Sequence, residues 1–262
     1  MPHLPLKPRP NFIEVDVESQ DEKVFLIASG SSGISFELAK MLYAKHRWVY
    51  IAGRSEEKPR QGIKDIQTAI PTRGTKELKL GILWNNAGIS KPLLAPLLQA
   101  AATENIKSPG SIREVWTASQ MTGNLFIASE YARKAGSTHN IVSVAHNPGA
   151  APTNLFCHTP LLRYLASPLL HKAQLAALTS LFAGFSRGTT MQNTGCYVLP
   201  WGRLSDNLIE DLRNAMRLSE EGGTSRASEF WQFCEEETRD YSRSDFYLDI
   251  VTIAKFKSEF SH

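Results

Sequence analysis

Residues 24–54 constrain the fold of this chain more than any other stretch. Two short apolar runs, at 24–28 and 48–52, flank a loop of serines and glycines and an amphipathic segment. Short apolar runs are typical of buried parallel strands, and the segment between them has helical spacing. A loop of small residues lets backbone N–H groups approach a phosphate at the N-terminus of a helix. Strand, loop, helix and strand within about 30 residues therefore predict a dinucleotide-binding βαβ unit.

Arg54 follows the second apolar run, separated from it by one glycine. An acidic residue at this place hydrogen-bonds the ribose 2′-hydroxyl of NAD, whereas an arginine accommodates the 2′-phosphate of NADP. The sequence therefore favours NADP as the cofactor. A glycine-rich loop taken alone also fits an ordinary strand-to-helix turn, so the interpretation depends on motifs elsewhere in the chain.

Length, charge and composition are those of a single globular domain. A chain of 262 residues suits one α/β domain, and 42% hydrophobic with 21% charged residues is ordinary for such a fold. A net charge of +3 is too small and dispersed to predict a nucleic-acid partner. Three widely spaced cysteines favour reduced thiols and a cytoplasmic location. No apolar run reaches the roughly 20 residues of a membrane span, so no membrane partner is expected.

Four motifs follow one another in order. They are Ala-Ser-Gly-Ser-Ser-Gly-Ile-Ser at 28–35, Asn-Asn-Ala-Gly at 85–88, Val-Trp-Thr-Ala-Ser at 115–119 and Asn-Pro-Gly-Ala-Ala-Pro-Thr-Asn at 147–154. Together they resemble the short-chain dehydrogenase/reductase family, in particular its fungal members, which use NADP(H) to interconvert carbonyls and alcohols. The resemblance implies a Rossmann-like, doubly wound parallel sheet in a single α/β domain over residues 22–241. It leaves residues 1–21 as a loose leader and residues 242–262 as an unassigned tail.

The resemblance also implies roles for individual residues. Ser119 matches the serine that polarises the substrate, although a simple helix N-cap is the alternative role for it. The implied cofactor-binding residues besides Arg54 are Gly30, Ser31, Gly33 and Ile34 at the pyrophosphate, Asn86 at the ribose, Pro148 and Gly149 beside the nicotinamide, and Thr153 at its carboxamide. No metal is expected, because the spacing of His139, His146, His158 and His171 fits no metal site and a structural role is favoured for them.

The Tyr-x-x-x-Lys pair of the family is missing. In the family, the tyrosine exchanges a proton with the reacting oxygen, and the lysine lowers the tyrosine pKa and holds the nicotinamide ribose. In one register Thr117 occupies the Tyr position and Met121 the Lys position; in the other, the residues between serine and tyrosine are absent. A thioether carries no proton, and threonine is far too weak an acid. Tyr131 and Lys134 are one residue too close together to replace the pair, and we expect them on a helix surface near its C-terminus.

A second departure from the family falls at Leu80 and Gly81. The family places an aspartate and a full crossover helix between its third and fourth parallel strands, and such a connection needs a dozen or more residues. This sequence has none, so residues 78–84 form one longer strand or one of the two strands is lost. We therefore expect strand 24–28 to lie centrally in a parallel sheet that is a strand short or irregular near residues 80–81.

Three hypotheses about function remain open at this stage. The first is an NADP-dependent oxidoreductase acting on a small organic substrate, as in fungal secondary metabolism. The second is a catalytically inactive descendant that binds a nucleotide or forms a homodimer through helix 122–135. The third is a shortened product that does not fold stably. The motifs support the family, whereas the missing Tyr and Lys argue against turnover.

Overall fold

A computed structural model describes residues 10–18, 23–28, 32–45, 48–53, 79–85, 98–103, 110–118, 123–151, 164, 170–205, 207–239 and 252–255. Its strands are β1 (Lys23–Ala28), β2 (Trp48–Gly53), β3 (Lys79–Asn85), β4 (Ile112–Thr117), β5 (Ile141–His146), β6 (Tyr197–Leu199), β7 (Arg203–Leu204) and β8 (Thr252–Lys255). They form one sheet in the order β7-β6-β5-β4-β3-β1-β2-β8. The inner strands β6, β5, β4, β3, β1 and β2 are parallel to one another. The two edge strands, β7 and β8, run antiparallel to their neighbours β6 and β2. The predicted Rossmann-like α/β fold with a central β1 is confirmed.

Helices cover both faces of this sheet. They are α1 (Gly33–Ala44), α2 (residues 98–103), α3 (Gly123–Tyr131), α4 (Ala173–Phe185), α5 (Glu210–Met216) and α6 (Arg226–Thr238). Strand β1 shows the arrangement, because Phe25 and Ile27 pack with α1 and α4, while Leu26 packs with α3 and α6 on the opposite face. A strand buried on both faces has a continuous apolar sequence, which explains why these runs predicted parallel strands.

Strand β3 has an irregularity at Gly81. Val24 of β1 pairs with Leu80, and the next residue, Phe25, pairs with Ile82, so Gly81 is the extra residue of a β-bulge. A Cβ atom on Gly81 would lie 2.7 Å from Cδ of Lys23, whose side chain crosses the bulge. Glycine leaves room for that side chain. The expectation of one longer strand, irregular near residues 80–81, is confirmed.

The outer neighbour of β2 comes from the C-terminal tail. In the usual doubly wound order the third strand of the chain lies beside the second. Here β3 lies beside β1, and β8 pairs antiparallel with β2, from Gly53 opposite Thr252 to Tyr50 opposite Lys255. The tail that the resemblance left unassigned therefore supplies a strand at the place where the crossover strand is missing.

Part of the predicted leader packs against the domain. The ring of Phe12 meets that of Phe182 edge-on, with centroids 5.8 Å apart, and the Asn11 N–H donates to the Trp201 carbonyl at 3.2 Å. These contacts add residues 11–12 to the layer formed by α1 and α4. Among the residues that the structure describes, no helix has the length and apolar character needed to cross a membrane.

Candidate cofactor-binding and active site

The carboxyl ends of five strands meet at one edge of the sheet. Ala28, near the end of β1, pairs with Ala52 of β2 on one side and with Asn85 of β3 on the other. Thr117 and His146, the last residues of β4 and β5, pair with each other. The predicted site residues all follow these strand ends in the sequence. Strand β1 is also the point at which the strand order reverses, where open α/β sheets bind their ligands.

Gly33 occupies the first position of α1 with a left-handed backbone, at φ 62°. Glycine adopts this conformation without strain, whereas other residues rarely do. The N-terminus of a helix carries a partial positive charge and presents N–H groups to an anion. Ile34, the next residue, packs against the core shared by α1 and α4. This start of α1 fits the pyrophosphate site predicted for Gly33 and Ile34.

Pro148 and Gly149 form a tight turn directly after β5. Gly149 has φ 81°, and its N–H donates to Oδ1 of Asn147 at 2.9 Å. The N–H of Asn147 donates to the Val198 carbonyl of β6 at 2.8 Å, which ties the turn to the sheet. The turn is thus held in place at the edge where the nicotinamide was predicted. The other predicted site residues lie outside the described part of the chain: Gly30, Ser31, Arg54, Asn86, Ser119, Thr153 and also Met121.

His146 links three elements beneath this edge. Its Nε2 lies 3.1 Å from Oγ1 of Thr117 in β4 and 3.3 Å from Oγ of Ser180 in α4. The imidazole is fully buried, and burial lowers its pKa to about 3. The ring is therefore neutral near pH 7, and its remaining N–H is far too weak an acid to protonate a substrate. Sequence reasoning missed these contacts because the partners lie 29 and 34 positions away.

Tyr131 is too deep and too far from this edge to replace the family tyrosine. Asn124, at the start of α3, donates from Nδ2 to the Thr117 carbonyl at 2.6 Å, and Tyr131 lies seven residues further on. At 1.5 Å per residue, the tyrosine is about 10 Å further down the helix. Its ring packs between Trp116 and Trp231, and burial raises its pKa, as does the nearby carboxyl of Glu114.

The structure corrects the expected surface position of Tyr131, which is 2% exposed. Lys134, which was expected on the same helix surface, is indeed exposed. Its Nζ lies 4.9 Å from the centroid of the Trp231 ring. The difference arises from α6, which covers one side of α3. In the described residues no three His, Cys, Asp or Glu side chains come together in a way that could hold a metal ion.

No family model matches this sequence. Curated proteins do match over most of its length. A short-chain dehydrogenase/reductase of Pestalotiopsis fici, iacJ, is 29% identical over 313 positions, covering 87% of this chain and 94% of the relative. One of Phomopsis amygdali is 27% identical over 318 positions, covering 88% and 94%. Both alignments are longer than this chain of 262 residues, so the relatives carry residues that have no counterpart here.

Solved structures share the fold at low sequence identity. A short-chain dehydrogenase/reductase of Mycobacterium marinum is 17% identical with a TM-score of 0.54, over 72% of this chain and 98% of the other. An actinorhodin polyketide ketoreductase solved with NADPH has a TM-score of 0.53 at 15% identity, over 69% and 96%. A 3-ketoacyl-(acyl-carrier-protein) reductase of Brucella melitensis, complexed with NADH, has 0.53 at 18%, over 69% and 97%. The curated relatives show that this chain is similar to short-chain dehydrogenases/reductases, and the solved structures show that it shares their doubly wound fold.

Proposed function

We propose that this protein binds NADP(H) at the carboxyl edge of its sheet and transfers a hydride between the cofactor and a small carbonyl or alcohol substrate. The observation that carries the proposal is the left-handed Gly33 at the start of α1, beside the strand at which the sheet order reverses. The two similar reductases that contain NADPH and NADH support a nicotinamide cofactor. Arg54 supports NADP, because a guanidinium can pair with a phosphate through two hydrogen bonds. We also propose a cytoplasmic location, where the reducing environment keeps thiols such as that of Cys196 unoxidised.

The residues at this edge fit such a cofactor, which when bound supplies the hydride. The first turn of α1, entered through Gly33, would receive the pyrophosphate, and the turn at Pro148 and Gly149 would border the nicotinamide. Ser119 would donate a hydrogen bond to the substrate oxygen. Among the described residues at this edge, none is suited to give that oxygen a proton. His146 is neutral, and Tyr131 lies about 10 Å further down α3 than the edge. We therefore propose that turnover is slow.

Cofactor choice is the most direct test. Fluorescence titration of the wild-type protein is expected to show tighter binding of NADPH than of NADH. Arg54→Ala is expected to weaken NADPH binding by about tenfold or more, since a hydrogen bond to a charged group contributes about 1.5–3 kcal/mol net, and to leave NADH binding unchanged. Arg203→Ala is the matched control, because this exposed arginine lies on β7 at the other end of the sheet. Equal affinity for the two cofactors, or an Arg54 variant that binds NADPH as tightly as wild type, would contradict the assignment of NADP.

A second candidate is a non-catalytic protein that binds the nucleotide or forms a dimer through helix 122–135. The lack of a proton donor among the described residues of the edge favours it. The surface of such a dimer would have to include α6, because this helix already contacts both ends of α3. A Cβ atom on Gly123 would lie 3.2 Å from Cζ of Phe230, and Tyr131 packs on Trp231. Nucleotide binding without turnover is the behaviour that would distinguish this candidate.

A further inference from the structure

A buried carboxyl lies below the carboxyl edge, between β3 and β4. Glu114 of β4 and Asn85, the last residue of β3, are both fully buried. Nδ2 of Asn85 donates to Oε1 of Glu114 at 2.6 Å. The contact is diagonal, because the register places Leu83 opposite Glu114 and Trp116 opposite Asn85. Burying a carboxyl is costly unless hydrogen bonds stabilise it, so an acidic residue in an otherwise apolar strand calls for a role.

The same carboxyl acts on the helix that follows Ser119. Tyr131 of α3 is buried near it, since its ring packs on Trp116 of β4, and the Glu114 carboxyl contributes to the raised pKa of the tyrosine. Helix α3 is also attached to the carboxyl edge at its start, where Asn124 donates to the Thr117 carbonyl. Glu114 therefore lies between two segments that border the candidate site, namely the end of β3 and helix α3.

We infer that Glu114 is a positioning residue, which holds Asn85 and thereby fixes the end of β3, where the Asn-Asn-Ala-Gly sequence begins, relative to helix α3. Glu114 lies opposite Leu83, two residues before the end of β3, so its side chain acts through Asn85. Asn86, the next residue of the motif, is the one proposed to lie against the cofactor ribose. The predicted change in cofactor affinity rests on the proposed function. The predicted ordering of Asn85 at the end of β3 does not depend on it.

Glu114→Met and Glu114→Gln test this role. Methionine has a similar volume and lacks the acceptor, and apolar replacements of buried charges often preserve stability. Glutamine can still accept from Asn85. We expect Glu114→Met to speed backbone hydrogen exchange in residues 85–88 and to raise the Kd for NADPH about tenfold, in line with one lost buried hydrogen bond. Glu114→Gln is expected to stay within about threefold of wild type in both measurements. Asn85→Leu removes the same hydrogen bond from the other side and replaces Glu114→Met if that variant does not fold.

Glu130→Met is the matched control. Glu130 is also buried, at 1% exposure, but its carboxylate pairs with Arg133, two residues beyond the end of α3. The control is expected to lower stability without changing exchange in residues 85–88. Wild-type exchange and affinity in a folded Glu114→Met, or the same changes in the control, would overturn the positioning role. A wild-type protein that binds no NADPH would instead contradict the proposed function, and hydrogen exchange without cofactor would still decide the role of Glu114.

Discussion

At the scale of single residues, His146 shows how burial changes chemistry. The ordinary pKa of histidine is near 6.5, and burial lowers that of His146 to about 3. The unfolded chain therefore binds a proton at a higher pH than the folded chain does. Stability from this group is fully present above pH 6.5 and is lost as the pH falls from 6.5 towards 3, by at most about 1.4 kcal/mol per pH unit. Urea unfolding between pH 7 and pH 4 measures the loss.

His146→Gln removes the titrating ring and keeps groups that can hydrogen-bond Thr117 and Ser180. Its stability is expected to fall less steeply with acid than that of wild type. His171→Gln is the control, because His171 is a half-buried imidazole that packs on Trp201 at the protein surface. The comparison uses differences between variants, since carboxylates contribute to acid unfolding in all three proteins. Parallel pH profiles for wild type and His146→Gln would show that the buried ring does not drive the acid sensitivity.

At single residues, the sequence is most informative where backbone geometry demands a residue type. Gly33 and Gly149 have left-handed backbones, and glycine at a motif position reports that requirement directly. The burial of Tyr131 could not be predicted, because it depends on Trp116 and Trp231, which are distant in sequence and come from different elements. Likewise, Glu114 in an apolar strand was a visible signal, but its partner Asn85 is 29 positions away.

At the scale of elements, the parallel strands were predictable and β8 was not. The core strands have apolar runs that are buried on both faces, so sequence alone locates them. The missing crossover also predicted the irregular β3, since a parallel connection cannot be made without residues. Strand β8 has only four residues, Thr252–Lys255, and pairs with a strand about 200 positions earlier. Nothing local in the sequence specifies such a partner.

Removal of residues 242–262 is expected to expose the outer edge of β2. Unpaired N–H and C=O groups at a sheet edge pair readily with other chains. We predict a loss of about 1–3 kcal/mol in unfolding free energy, from several backbone hydrogen bonds, together with self-association. Urea unfolding and light scattering measure the two effects. Ile253→Pro in the full-length chain is the companion variant, because proline removes a backbone donor within β8. A truncated protein that stays monomeric with an unchanged unfolding midpoint would show that β8 does not protect this edge.

At the scale of the whole molecule, the segments that this chain lacks relative to the family affect the edges of the fold more than its centre. Two apolar clusters remain buried on the two faces of the sheet, and β1, β3, β4 and β5 keep their parallel register. This argues against a shortened product that cannot fold. Dinucleotide binding at the carboxyl edge and the loss of the family's proton donor both stay predictions from the sequence. Binding and turnover should accordingly respond differently to substitution.

A catalytic assay tests whether cofactor binding and turnover are separate in this protein. General acid–base help is typically worth about 10²–10⁴-fold in rate, so carbonyl reduction by this chain is expected to be very slow or undetectable even where NADPH binds. Ser119→Ala should change little, because a serine that polarises the carbonyl contributes only a residual rate without a proton donor. The assay is NADPH consumption with a panel of ketones and aldehydes. Ser219→Ala, at a turn remote from β4 in the sequence, is the control. Turnover of about one per second, a usual enzyme value, that is lost in Ser119→Ala and kept in Ser219→Ala would show that another residue supplies the proton, and Tyr131 would be the first to test.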